Sequence, residues 1–135
     1  MADLRRIMAV EDDEDIRVLM DVALQAVSGF ELASCSSGEE ALEKIAEFSP
    51  DLLILDAVMP NMDGVQTLRA IRSMVGLPEI PAVFMTAKTH PAERERFMNE
   101  GAIDVLPKPF DPMTLGQALQ DIWDSRTGSM KGAGA

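Results

Sequence analysis

The chain has 135 residues, a length typical of a single domain. Hydrophobic residues make up 47% and charged residues 26%, which is close to the average for globular proteins and argues against a disordered, collagen-like or membrane-embedded chain. Lys and Arg number 12 against 23 Asp and Glu, so the net charge is −11. So acidic a chain repels a phosphate backbone, which disfavours direct nucleic-acid binding and favours cationic partners and metal ions.

The cysteine usage and the apolar runs bear on location. Cys35 is the only cysteine, so the chain cannot form an intrachain disulfide, and no basic-then-apolar leader precedes Arg5. The longest apolar runs, residues 52–55 and 82–85, are far shorter than the roughly 20 residues that a membrane-spanning helix needs. The sequence therefore predicts a cytoplasmic protein without membrane insertion.

The first predicted unit is a strand followed by a helix. Residues 7–10 form a short apolar run that stops at an acidic cluster over residues 11–15. After the cluster, apolar residues recur at helical spacing as far as Val27, and Gly29 stands where a glycine often ends a helix. This pattern predicts a strand, an acidic loop and a helix in that order.

The second and third units repeat this order. Residues 30–35 indicate a weaker strand, and Ser37 and Glu40 have the spacing of a capping box that opens a helix. Residues 52–55 are wholly apolar, without the alternation of a half-exposed strand. Such a run is typical of a parallel strand that helices cover on both faces, and Asp56 ends it.

The third helix is predicted from the apolar spacing of residues 65–75, with Gly76 as its end. A fourth strand follows over residues 81–85, and a charged helix over residues 91–100 stops at Gly101. The breaks between these segments are rich in Pro and Gly, which punctuate a chain of alternating strands and helices.

The fifth unit has a strand over residues 103–106 and a helix that Asp111 and Pro112 cap. Five such units predict an α/β protein with a doubly wound parallel sheet and helices on both faces. We expect one domain over residues 1–124. Residues 125–135 are rich in Gly, Ala and Ser without a period, which indicates a disordered tail or a cloning remnant.

The unusual polar residues all follow predicted strands. Glu11 and Asp12 follow the first strand, Asp56 the third, Thr86 the fourth and Lys108 the fifth. Parallel strands end at one edge of a sheet, where such folds bind their ligands, so these side chains should converge. Clustered carboxylates repel one another unless they are protonated or hold a cation. Oxygen ligands without His or Cys favour Mg²⁺ or Mn²⁺ over Zn²⁺.

The segments around these residues resemble the receiver domain of two-component response regulators. The match covers residues 5–123 and keeps the family's order, with each segment after the expected strand. It implies a flavodoxin-like sheet of strand order 2-1-3-4-5. The segments that carry it are Val10-Glu11-Asp12-Asp13, Leu55-Asp56-Ala57-Val58-Met59-Pro60-Asn61-Met62-Asp63-Gly64, Met85-Thr86-Ala87 and Lys108-Pro109-Phe110-Asp111.

The resemblance implies a role for each site residue. Asp56 would be the phosphoacceptor, which takes a phosphoryl group from the phosphohistidine of a histidine kinase or a histidine phosphotransfer protein. Lys108 would neutralise phosphoryl oxygens, and the hydroxyl of Thr86 would move in to hydrogen-bond them. The implied Mg²⁺ ligands are Asp12, Asp56, the backbone carbonyl of Val58 and, through water, Glu11.

Two residues depart from the family pattern. Val105 stands where the family usually has Tyr or Phe, an aromatic residue that swings inward as the threonine moves. A β-branched valine has few χ1 rotamers, so we expect a signal to pass by repacking of strand 4, helix 4 and strand 5. Glu11 replaces the commoner Asp and should still reach an ion through water.

These observations favour a stand-alone receiver that signals to a downstream target protein and turns over no other substrate. One alternative is a phosphorylation-independent pseudo-receiver, an interaction module whose pocket is vestigial, and Val105 favours it. Another is a metal hydrolase on a related sheet, but Val58 stands where such an enzyme would have a second Asp as its general acid.

Overall fold

The computed structural model describes residues 3–87 and 90–134, and beyond Arg126 only the backbone. Strands and helices alternate in the described parts. The strands are β1 Arg6–Val10, β2 Glu31–Cys35, β3 Leu52–Asp56, β4 Ala82–Thr86 and β5 Asp104–Pro107. The helices are α1 Glu14–Asp21, which a π-helical segment Val22–Val27 continues, α2 Gly38–Phe48, α3 Gly64–Arg72, α4 Pro91–Asn99 and α5 Leu115–Gly134.

The five strands form one parallel sheet in the order β2-β1-β3-β4-β5, which confirms the predicted fold class and strand order. The register aligns Val10 of β1 with Leu55 of β3, and Asp56 of β3 with Met85 of β4. The carboxyl ends of β1, β3 and β4 therefore lie side by side. No helix among residues 3–87 and 90–134 is long and apolar enough to cross a membrane.

The core consists of two apolar layers, one on each face of the sheet. Leu53 and Leu55 of β3 point to the face that α2, α3 and α4 cover, and Leu52 and Ile54 point to the face that α1 and α5 cover. All five residues of β3 are buried, which explains why its sequence is apolar without alternation.

Two predicted helices differ from the structure at their C-terminal ends. The π turns that begin at Val22 hold more residues per turn, so Val27 rotates away from the core and is 42% exposed. Helix α3 ends at Arg72, where the hydroxyl of Ser73 donates to the carbonyl of Arg69 at 2.9 Å. Val75 was predicted to lie on this helix and is instead fully exposed beyond it.

The helix starts also differ from the predicted caps. Ser37 Oγ accepts from the backbone N–H of Glu40 at 3.1 Å, but the Glu40 carboxylate accepts from Ser36, one residue earlier than a capping box places it. A complete capping box joins Asp63 and Gln66 at the start of α3. The sequence indicated only a turn there.

The domain boundary at residue 124 and the tail over residues 125–135 stay predictions. Helix α5 begins at Leu115, after a turn in which the Asp111 carbonyl accepts from the backbone N–H of Thr114 and of Leu115. Its backbone continues as far as Gly134, and Ala135 lies outside the described residues. Residues 88 and 89, in the predicted approach to α4, lie outside them as well.

Gly64 allows α3 to start close to the end of β3. A Cβ atom at Gly64 would lie 2.4 Å from the backbone oxygen of Asp56 and 2.8 Å from the ring of Phe84. Both distances are shorter than the non-bonded contacts that Cβ atoms make in proteins. The backbone oxygen cannot move without moving Asp56. Only glycine therefore fits where the loop after β3 returns to the sheet.

We expect Gly64→Ala to destabilise the fold by about 1–3 kcal/mol, because the new methyl group overpacks a backbone contact. Urea denaturation of the variant and the wild type measures this loss. Gly38→Ala is the comparison variant, because Gly38 also begins a helix but an added Cβ there would press on the side chains of Thr67 and Met62 rather than on a backbone atom. If both variants lose the same free energy of unfolding, the contact with the Asp56 backbone oxygen is not the reason for the loss in Gly64→Ala.

Candidate functional site

Four strands deliver polar side chains to one edge of the sheet. Glu11 follows β1 directly, Asp56 is the last residue of β3, Thr86 is the last residue of β4 and Lys108 follows β5. The strands are parallel, so all four residues lie at the carboxyl edge, with Asp12 next to Glu11 on the loop into α1. This edge is the usual ligand site of doubly wound sheets.

Three carboxylates meet at this edge. Glu11, Asp12 and Asp56 each place one oxygen within 4.8 Å of the others. Glu11 and Asp56 are buried, with 1% and 3% of their surface exposed, whereas Asp12 is exposed. Two buried acids and one exposed acid therefore line a site that solvent reaches from the Asp12 side.

Lys108 pairs with both buried acids. Its Nζ lies 2.9 Å from Glu11 Oε1 and donates to Asp56 Oδ1 at 3.1 Å. Its backbone N–H donates to the carbonyl of Thr86 at 2.9 Å, which ties the loop after β5 to the end of β4. The peptide bond between Lys108 and Pro109 is cis. The ammonium thus lies inside the carboxylate cluster.

Burial and mutual contact shift the ionisation of Glu11 and Lys108. Loss of water and the hydrogen bond with Asp56 raise the pKa of Glu11 from 4.5 to about 7, although Lys108 opposes the shift. Burial alone would lower the pKa of Lys108, but its close contacts with the carboxylates of Glu11 and Asp56 outweigh that cost and raise the pKa above its usual value. Lys108 therefore stays charged at neutral pH.

The site has donors that suit a hard cation. Glu11 Oε1 is buried and, despite its short distance to the ammonium, makes no hydrogen bond of good geometry, which leaves it available as an acceptor. Three carboxylates against one ammonium leave excess negative charge. The cluster offers oxygen ligands and contains neither His nor Cys, the chemistry that Mg²⁺ prefers and structural Zn²⁺ does not.

The loop between β1 and α1 is held by hydrogen bonds that the sequence did not reveal. The backbone N–H of Asp13 donates to Glu11 Oε2 at 3.2 Å, and Asp13 itself caps α1. Arg17 Nη1 donates to the carbonyls of Glu11 and Asp12 at 2.8 and 3.0 Å. Backbone acceptors leave no pattern in a sequence, so only the acid-rich loop before an arginine could have pointed to Arg17.

The remaining candidate residues border the cluster. The backbone N–H of Val58 donates weakly to Asp56 Oδ1 at 3.4 Å, and the Val58 side chain is 78% exposed. Thr86 is buried at the end of β4. Val105 is buried next to Phe84, its register partner, and the ring of Phe84 stacks on Phe97 of α4 with centroids 4.7 Å apart.

Comparison with known proteins gives one consistent result. The model of the response regulator receiver domain family matches residues 7–120. The chain is 38% identical over 105 residues to the response regulator MprA of Mycobacterium leprae, covering 78% of this chain and 45% of MprA. It is 31% identical over 118 residues to the alkaline phosphatase synthesis transcriptional regulatory protein PhoP of Bacillus subtilis, covering 87% of this chain and 48% of PhoP.

Solved structures agree with the family model. The chemotaxis protein CheY4 of Vibrio cholerae superposes with a TM-score of 0.80 and 32% identity, covering 88% of this chain and 98% of CheY4. A putative response regulator from Chloroflexus aurantiacus gives a TM-score of 0.77 and 29% identity, covering 89% of this chain and 98% of the regulator's chain. The chain spans about half the length of the curated relatives it matches.

The raised pKa of Glu11 predicts that Glu11→Gln stabilises the metal-free protein by an amount that depends on pH. At Glu11 the folded chain binds more protons than the unfolded chain between pH 4.5 and about 7. Ionisation of Glu11 therefore lowers the free energy of unfolding as pH rises through this range. Gln buries no charge, so we expect its advantage in free energy of unfolding to grow from about pH 5 to pH 8. Urea denaturation in EDTA measures it.

Glu40→Gln is the control for that experiment. The hydrogen bond from Lys44 lowers the pKa of Glu40 to about 2, so its ionised form stabilises the fold throughout the same range. Its loss should therefore destabilise the chain by an amount that does not change with pH there. An advantage of Glu11→Gln that stays flat or shrinks with pH would show that Glu11 is not held as described.

Proposed function

The chain belongs to the response regulator receiver domain family, and from this we propose that its domain over residues 1–124 accepts a phosphoryl group on Asp56. The donor would be the phosphohistidine of a histidine kinase or a histidine phosphotransfer protein. One observation carries the proposal: Asp56 Oδ1 lies 3.1 Å from the Lys108 ammonium, inside a cluster of three carboxylates. A nucleophilic carboxylate with a fixed cation beside it is what transfer to an aspartate requires.

In the proposed step, an Oδ atom of Asp56 attacks phosphorus, a P–O bond forms and the P–N bond to the donor imidazole breaks. The imidazole leaves with the bonding electron pair and takes up a proton. Lys108 already contacts Asp56 and stays charged, so it can neutralise phosphoryl oxygens without reorganising. Thr86 ends the neighbouring strand, and its hydroxyl would donate to a phosphoryl oxygen once the group is attached.

Mg²⁺ fits the same site and would bind to Asp12, Asp56 and the Val58 carbonyl, with Glu11 acting through water. When bound, it supplies positive charge that offsets the negative charge of the phosphoryl group and the carboxylates. The buried Glu11 Oε1 and the all-oxygen cluster support this assignment. We propose that the domain does not turn over free substrates, because the residue two positions after Asp56 is Val58, whose side chain cannot act as a general acid.

We propose that the output is contact with a separate target protein in the cytoplasm. The acidic charge of −11 disfavours contact between this domain and nucleic acid. With Val105 in the place of an aromatic switch, the signal would pass by repacking of β4, α4 and β5. The stacked rings of Phe84 and Phe97 support this route, since they join β4 to the one buried residue that α4 contributes.

Phosphorylation of Asp56 is tested by intact mass after incubation with acetyl phosphate, with and without Mg²⁺. We expect one phosphoryl adduct in the wild type when Mg²⁺ is present. Asp56→Asn should gain none, because an amide oxygen is a poor nucleophile and cannot form the acyl phosphate. Asp12→Asn should load more slowly, because it weakens the metal site but leaves the nucleophile.

Asp51→Asn is the matched control, since Asp51 also lies beside β3 but accepts hydrogen bonds from the backbone of Arg5 and Arg6 at the opposite edge. It should load like the wild type. An adduct that persists in Asp56→Asn would refute the assignment. No adduct from acetyl phosphate or from a phosphohistidine protein, together with no Mg²⁺ binding, would favour the phosphorylation-independent interaction module.

The output route predicts that Phe97→Leu uncouples α4 from Asp56. Hydrogen exchange of the α4 peptide is compared before and after phosphorylation. We expect the change in exchange to fall by roughly half or more in the variant, because a branched aliphatic side chain cannot keep the ring stack. Loading of Asp56 should be unchanged. Phe30→Leu, on the opposite face of the sheet, is the control, and an undiminished response in Phe97→Leu would exclude this route.

A further inference from the structure

Arg17 contacts the backbone of the two acids that precede α1. It lies one turn into that helix, and its own backbone N–H donates to the Asp13 carbonyl at 3.0 Å. Its side chain folds back, so that a single guanidinium nitrogen, Nη1, donates to the carbonyls of Glu11 and Asp12 at 2.8 and 3.0 Å. Arg17 is half-buried in this arrangement.

The two carbonyls belong to the backbone of the loop that carries the two acidic side chains. Each carbonyl is part of the peptide plane that leaves Glu11 or Asp12, so fixing both planes limits rotation of the loop between β1 and α1. The carboxylate of Glu11 is held on the other side by the backbone N–H of Asp13. Arg17 thus restrains the loop that carries two of the three carboxylates.

We infer that Arg17 is a positioning residue for Mg²⁺ binding: it holds the loop so that the carboxylates of Glu11 and Asp12 face Asp56 before the ion arrives. This inference rests on the proposed function of the site. Arg17 touches neither the carboxylates of the cluster nor the phosphoacceptor in the hydrogen bonds described, so it acts through the backbone. Outer contacts that orient metal ligands raise affinity by lowering the cost of ordering them.

Charge alone predicts the opposite effect. Arg17 carries a positive charge near a cation site, so removing it should strengthen Mg²⁺ binding if the guanidinium acts only through its field. Removing it should weaken Mg²⁺ binding if the guanidinium acts by holding the loop. The sign of the change in affinity therefore separates the two roles.

Isothermal titration of Mg²⁺ into the full chain measures this sign. We expect Arg17→Met to bind Mg²⁺ roughly tenfold more weakly than the wild type, as other losses of ligand-orienting contacts do. Arg17→Lys should recover part of the affinity, because an ammonium can still donate to these carbonyls. Unchanged or tighter binding in Arg17→Met would overturn the inference.

Arg72→Met is the matched control. Arg72 Nη1 likewise donates to a backbone carbonyl, that of Ile80 at 2.6 Å, but in the connection between α3 and β4. We expect Arg72→Met to lower the unfolding midpoint without changing Mg²⁺ affinity. An equal loss of Mg²⁺ affinity in both variants would mean that general destabilisation, and not the Arg17 contact, is responsible.

A second readout follows the loop without metal. The Asp13 amide should exchange its hydrogen faster in Arg17→Met than in the wild type, with core amides unchanged. If Arg17→Met does not fold, Arg17→Gln removes the same charge and is judged by the same affinity. A wild-type chain that neither binds Mg²⁺ nor loads Asp56 would refute the proposed function, whereas normal binding and loading in an Arg17 variant would refute this inference alone.

Discussion

The site depends on two buried carboxylates that one ammonium keeps together. Glu11 follows β1 and Asp56 ends the neighbouring strand β3, and like charges about 4 Å apart repel by roughly 4 kcal/mol at an effective dielectric of 20. Lys108 contacts both and offsets part of this repulsion, while burial, with a smaller contribution from Asp56, still raises the pKa of Glu11. The remaining deficit of positive charge is what a divalent cation would supply. Cation binding at this site would therefore relieve an electrostatic strain, the repulsion between carboxylates that folding brings together.

That strain exists because of the order of the strands. With β1 next to β3, a residue that follows Val10 and a residue that follows Leu55 must lie at the same edge. The apolar layers on both faces then exclude water from beneath the carboxylates. Gly64 completes the enclosure, since it lets α3 start against the Asp56 backbone. The core thus stabilises the fold and also raises the cost of leaving the acids uncompensated.

Features with a periodic or local cause could be predicted from the sequence. The unbroken apolar run of β3 indicated burial on both faces, and polar residues after the strands indicated one shared edge. Features that arise from competition between backbone partners could not. At the end of α3 the backbone N–H of Ser73 is shared between the carbonyls of Arg69 and Ala70, and Arg17 binds carbonyls that every residue has. The pKa of Glu11 likewise depends on its final burial, which residues distant in sequence produce.

The few contacts that hold α4 on the sheet offer a route by which phosphorylation of Asp56 could change the position of this surface helix. Phe97 is the one residue of α4 that is buried, and exposed ion pairs such as Arg94 with Asp104 typically add less than about 1 kcal/mol. The helix is therefore attached to the sheet chiefly through one ring stacked on Phe84. Phe84 and Thr86 lie two residues apart on β4, so they point to the same face. A shift of Thr86 toward a phosphoryl group would act on the strand that carries Phe84. A helix with so little buried contact would need only a small displacement of that ring to reposition.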